Sequence, residues 1–136
     1  MSLKMNRFLL VIIFLFISGC SLFYPTVYEV SKTMEIGEII ADSIIIEPGF
    51  YSVLLNSDYV LDIFFFSSKK GFDLFRDSSK LYSEYLEYPL TFVAKSFIDE
   101  RFYIFENKKL YFVIDNSDIA TEKSGKPNIY FKIGKE

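Results

Sequence analysis

From Glu38 onward the chain consists of short apolar runs, each cut off by turn-forming residues before a packed helix of ordinary length could be completed. Runs of four to eight residues bounded by Gly, Pro, Asn, Asp and Ser are the pattern of strands. Ile39–Ile46 ends at Glu47-Pro48-Gly49, where Pro48 sets φ and Gly49 accepts a positive φ, which makes a tight turn. Phe50–Leu55 follows and stops at Asn56-Ser57-Asp58, a second turn cluster. In Tyr59–Phe66 apolar residues occupy both alternating sets, apart from Asp62, so this strand is expected to be buried on both faces. Leu90–Ile98 alternates as a half-buried strand. Arg101–Phe105 and Leu110–Asp115 flank Glu106–Lys109, a predicted hairpin centred on Asn107-Lys108. Ile129, Phe131 and Ile133 alternate with Tyr130 and Lys132 in a last strand, and an edge strand is expected near Val27–Val30.

Only residues 72–88 break this rhythm. Phe72, Phe75, Tyr82, Tyr85 and Leu86 recur at spacings of three and four, with Asp77, Ser78 or Ser79 available as an N-cap. One or two short helices are predicted here, ending before Pro89. The expected fold class is therefore all-β: an antiparallel β-sandwich or small barrel of about seven strands, joined by hairpins and one helical crossover. A chain of 136 residues holds one such domain. Its aromatic content of 19% supplies the core, since each buried ring hides about 150–250 Å².

The composition removes several chemistries. There is no histidine and one cysteine, which excludes a Ser-His-Asp or Cys-His nucleophile, a His or Cys zinc site and an intrachain disulfide. That cysteine ends a distinctive N-terminal segment. Lys4 and Arg7 precede the apolar run Phe8–Ile17, too short for the roughly 20 residues of a membrane-spanning helix. Basic flank, short apolar run and small residues describe a secretory signal peptide.

Ile17-Ser18-Gly19-Cys20 resembles the lipobox of bacterial lipoproteins. The resemblance implies cleavage before Cys20, diacylglyceration of its thiol and extracytoplasmic display. It also implies outer-membrane sorting in a two-membrane cell, because Ser21 is not aspartate. Met5 is an equally acceptable start, which would leave Arg7 as the basic flank. The expected organisation is a signal peptide over 1–19, an acylated tether over 20–37 and the β-domain over 38–136.

Residues 1–19 hold two basic side chains and no acidic one, so 13 Lys+Arg of the 15 remain in the mature domain against 18 Asp+Glu, a balance of −5. An acidic domain without a basic cluster is a poor match for nucleic acid or for anionic headgroups. The anchoring is expected to rest on the lipid, with an envelope protein as partner.

Leu61–Phe66 followed by Leu110–Ser117, with its aromatic-aliphatic strand running into Asp115-Asn116-Ser117, resembles the strand pair of GOLD/emp24-like β-sandwich domains. That resemblance spans about residues 44–118 and implies a sandwich used for protein–protein contact. The coiled coil, membrane span and paired disulfide of that family's eukaryotic members have no counterpart here, so their trafficking role does not carry over.

Few residues suggest chemistry. Asp115, Asn116 and Asp118, with Asp58 and Asp62 nearby, offer oxygens of the kind calcium takes, but without EF-hand spacing. The same residues also serve as an ordinary strand-ending turn. Asp62 is a lone carboxylate in an apolar strand, expected to pair with Lys95, Arg101 or a backbone amide. Glu84, Glu87, Asp99 and Glu100 are carboxylates that nothing in the sequence pairs for glycoside hydrolysis. Phe72, Phe75, Tyr82, Tyr85 and Tyr88 form either a helix face lying on a sheet or an exposed binding patch. No cofactor and no catalysis are expected. The anticipated role is protein binding, with capture of a glycan or hydrophobe as the alternative and a small hydrolase third.

Overall fold

The computed structural model describes residues 24–117 and 125–136. These form β1 (Thr26–Thr33), β2 (Ile39–Ile46), β3 (Gly49–Phe66), α1 (Lys69–Arg76), a 3-10 helix (Lys80–Tyr85), β4 (Leu86–Ile104), β5 (Lys108–Asp115) and β6 (Asn128–Lys135). Every pairing is antiparallel. The sheet runs β1-β6-β3-β5-β2, with β4 on the other side of β3.

β3 organises the rest. A straight strand of its 18 residues would be about 60 Å long, far beyond a domain whose radius of gyration is about 13 Å. It must bend, and its two halves serve different neighbours. Tyr51–Ser57 pairs with β6, whereas Asp62–Phe66 pairs with β5 along the same edge. The sheet thereby curls into a half-barrel in which β6 and β1 face β5 and β2. The interior contact is direct: Phe112 of β5 lies 5.7 Å from Phe131 of β6, and Tyr28 of β1 meets Phe112 edge-on at 4.7 Å.

The bend is built from irregular pairing. Asn56 faces Phe97 and Leu61 faces Lys95, so Ser57–Val60 bulge opposite Ser96. Just beyond, Asp62 stands against both Val93 and Ala94, a β-bulge with Ala94 in the left-handed region at φ 52°. The Asp62 carboxylate accepts the Ala94 N–H at 2.7 Å, holding that strained amide. Of the partners expected for Asp62, the backbone amide is thus present.

Alternation fills the interior. Val53, Leu55, Leu61, Ile63 and Phe65 of β3 point inward with Leu110, Phe112 and Ile114 of β5 and Ile129, Phe131 and Ile133 of β6, all buried. Tyr51 is buried as well, and its hydroxyl donates to the Glu47 carbonyl at 2.8 Å and accepts the Glu47 N–H at 3.1 Å. It thereby pins the Glu47-Pro48-Gly49 turn, in which Gly49 has the expected positive φ.

The two short helices cover the outer face of β3 and β5. Phe64, Phe66 and Val113 are buried beneath Phe72, with Phe75, Tyr82, Tyr85 and Leu86 packed beside them. The two-sided burial expected for Tyr59–Phe66 therefore holds from Leu61 onward, apart from Asp62, while Tyr59 and Val60 are exposed at the bend. Ser68 caps α1 by accepting from the Lys70 and Gly71 amides, and Ser79 caps the 3-10 helix. α1 consequently begins at Lys69, three residues before the predicted stretch.

Three local expectations are corrected. Asn56-Ser57-Asp58 is not a chain-reversing turn but part of a bend within continuous β3. Likewise the two strands expected over Leu90–Ile98 and Arg101–Phe105 are one, since β4 runs unbroken from Leu86 to Ile104. Glu106–Lys109 reverses the chain without forming a hairpin: β4 pairs with β3, and β5 with β2 and β3. Turn chemistry fixes where a chain reverses, whereas pairing follows from which faces can be buried together. At the N-terminus, β1 extends the expected edge strand and pairs with β6 along its length, so the domain begins upstream of residue 38.

Gly71 marks the closest approach of the two helices, where a Cβ would lie 2.3 Å from Tyr85 Cβ. Gly71→Ala should therefore cost about 1–3 kcal/mol through overpacking. Urea denaturation would read this as a lower midpoint.

Candidate functional site

β4 has 19 residues, and β3 occupies one of its edges. Among the described residues no strand pairs with the other edge. Pro89, which lacks an N–H, is tolerated in such an edge strand. The Ala94 bulge and the charges Lys95, Asp99, Glu100 and Arg101 give part of it the protection usual for edges. Apolar side chains remain exposed along it all the same: Val93, Phe97 at 62% and Tyr103 at 42%, with Phe105 at 84% just past its end.

Because the half-barrel stays open beside β4, a groove of about 470 Å³ lies there. Its lining includes the core residues Leu90, Phe102 and Ile104. Glu87 and Lys108, also in the lining, are joined by an ion pair of 3.1 Å. The groove therefore combines an apolar base with a charged rim.

A second feature adjoins it. Register places Phe50 opposite Tyr103, and these rings meet edge-on at 4.7 Å; Tyr103 meets Phe105 in the same way at 4.8 Å. The Arg101 guanidinium stacks 4.1 Å from the Phe50 ring centre and bonds Glu136, Nε to Oε2, at 2.6 Å. Next to this ladder lies the start of the described chain. Pro25 accepts from the Lys135 N–H and Phe50 accepts from the Glu136 N–H, both at 2.9 Å. Tyr24 packs on Gly134, where an added Cβ would lie 3.1 Å from its own. Desolvation, followed by the neighbouring Glu136 carboxylate, raises the Tyr24 phenol above its ordinary pKa.

The aromatic residues singled out by spacing are mostly engaged in packing. Phe72 is buried, and Phe75, Tyr82 and Tyr85 are half-buried against the sheet; Phe75 meets Tyr82 edge-on at 5.0 Å. Tyr88 lies in β4, and its side chain is outside the described residues.

The oxygen-rich turn has its own structural work. Asp115 accepts the Ser117 N–H at 2.7 Å. Asn116 donates from Nδ2 to the Glu35 carbonyl at 2.8 Å and to the Gly125 carbonyl at 3.0 Å. Its backbone is bonded to Gly37 and Glu38. Asp58 accepts from Asn128, and Asp118 lies outside the described residues. No group of three or more His, Cys, Asp or Glu that could hold a metal is found among the described residues. Glu87 is taken up by Lys108, and Asp99 and Glu100, consecutive in β4, project to opposite faces. Cys20 precedes the described residues, and no helix among them is long and apolar enough to cross a membrane.

The residues that sequence reasoning passed over are Phe50, Phe97, Tyr103 and Phe105. The available signal was alternation, which assigns a face but not what covers that face. No protein-family model matches the chain, and no curated protein matches it significantly.

Asn116→Ala should cost about 1–3 kcal/mol, since the buried Asn116 side chain loses two part-buried hydrogen bonds. The loss should be equal in chelator and in calcium, as measured by urea midpoints under both conditions.

Proposed function

We propose that this is a lipid-anchored, extracytoplasmic envelope protein that works by binding rather than catalysis, its β4 edge receiving an extended segment of a partner protein. The observation that carries the binding reading is a 19-residue strand with one edge unpaired among the described residues and with Val93 and Phe97 exposed along it. An open edge offers a row of N–H and C=O groups to any extended backbone, and side chains on alternate positions then discriminate between sequences. The domain's acidic balance favours a segment with basic residues between its apolar ones. The GOLD/emp24-like pattern of Leu61–Phe66 and Leu110–Ser117 is consistent with a domain used for protein contact.

The anchor reading rests on Ile17-Ser18-Gly19-Cys20, which puts the chain's single cysteine at the position where the lipobox requires one. Each buried CH₂ of an acyl chain contributes about 0.8 kcal/mol, so one chain holds marginally and two or three hold firmly. A second reading, capture of a hydrophobe, is favoured by one observation: the groove of about 470 Å³ against Leu90, Phe102 and Ile104.

Cys20→Ser should abolish the acyl mass and either release the domain from membranes or leave the leader uncleaved; mass spectrometry and fractionation read both. For the edge, a photoreactive benzoylphenylalanine replaces Phe97, with Ile45 of β2, 81% exposed, as the control position. The expected result is one protein adduct at residue 97 only, its cross-link mapped to a single extended peptide, and a synthetic copy of that peptide competing it away. Equal labelling at both positions, or adducts with lipid or glycan alone, would overturn the edge reading.

A further inference from the structure

We infer that the Phe50–Tyr103–Phe105 ladder is the face on which the domain sits in the bilayer interface. This rests on acylation of Cys20, and follows from where the described chain begins and how little chain separates it from that cysteine. Only Ser21, Leu22 and Phe23 lie between Cys20 and Tyr24, and four residue steps span at most about 14 Å. Tyr24 packs on Gly134 of β6. Gly134 pairs with Ser52 of β3, and Ser52 pairs with Arg101 of β4. The same row reaches the ladder, since Arg101 binds Glu136 and stacks on Phe50, and Phe50 meets Tyr103.

A leash of about 14 Å on a domain with a radius of gyration of about 13 Å cannot bring the opposite side to the membrane. The loop after β1, with Ile36 exposed, lies beyond the far end of that eight-residue strand from Tyr24 and Gly134 and is therefore held away. The β6-β3-β4 surface is held close, and that is where three exposed rings stand in line. Rings with one apolar body and, in Tyr103, one polar tip suit the headgroup level. Arg101 adds a stem that can lie along apolar surface while its guanidinium stays with polar groups. Its charge is already met by Glu136, and the domain is acidic, so seating depends on apolar contact and not on anionic lipid.

The chain has no tryptophan, so a single introduced one reports its surroundings without background. Full-length protein, purified from membranes with its acyl mass verified, would be reconstituted into zwitterionic phosphatidylcholine vesicles as Phe105→Trp and, separately, as Ile36→Trp. Expected is a blue-shifted emission for Phe105→Trp and several-fold stronger quenching by brominated acyl chains than for Ile36→Trp, unchanged by anionic lipid or high salt. Equal quenching at the two positions in acylated protein overturns the seating while leaving the anchor intact. Protection of Phe105→Trp from aqueous quencher without bromolipid quenching also overturns it, since a protein partner or a second copy then covers the ladder. Absence of acyl mass from the native protein overturns the anchor and the seating together. A double variant, Phe50→Ser with Phe105→Ser, tests the same surface without a reporter, and should make the leash more accessible to protease on vesicles while circular dichroism stays unchanged. Unaltered cleavage of that variant counts against the seating.

Discussion

Everything in this fold depends on one strand being shared by both walls of the half-barrel. β3 gives its first half to β6 and its second half to β5, with β4 alongside throughout. That arrangement needs a sharp change of direction in mid-strand, and the Asp62 carboxylate holding the Ala94 amide is the polar contact that stabilises it. A left-handed non-glycine residue costs about 1–2 kcal/mol, of the same order as a hydrogen bond to a charged acceptor. The bulge is therefore roughly self-supporting, and the curl can be set by packing around Phe112 and Phe131.

Curling gives the protein an inside without fully closing it. Among the described residues, β1 and β2 end the sheet at its two limits, and β4 runs as a third border with no strand on its outer side. The helices are spent on the other flank, where the second half of β3 carries phenylalanines on both faces and cannot be left wet. Among the described residues, one apolar surface is thus covered by the helical crossover and another, along β4, is not. The difference between these flanks is what supports the proposal of an interaction surface on β4.

Much of this was legible in the residues, and the parts that were not share a cause. Leu110, Phe112 and Ile114, and likewise Ile129, Phe131 and Ile133, announce themselves because each set buries one face and a period of two is all that is needed. Spacings of three and four in Phe72, Phe75, Tyr82 and Tyr85 gave helices, and their packing on the sheet followed. Asn56-Ser57-Asp58 reads as a reversal because the residues that favour turns also favour bulged bends. Asn107-Lys108 marks a real change of direction, yet the strands on either side find partners elsewhere. The exposed rings at Phe50, Phe97, Tyr103 and Phe105 were hidden for the same reason. Whether a strand's edge or outer face is covered is decided by segments far away in the sequence, and local pattern carries no record of them.

The order of the strands has a kinetic consequence. β3 and β4 are the only described strands consecutive in the chain that pair with each other, and two helices separate even them. Nearly all of the ladder must therefore be assembled from segments distant in sequence, and topologies of that kind fold on the order of milliseconds to seconds rather than microseconds. A nascent chain so built remains loose for longer than one paired locally, and its Phe-rich middle needs shielding until the late-arriving β5 and β6 close over it.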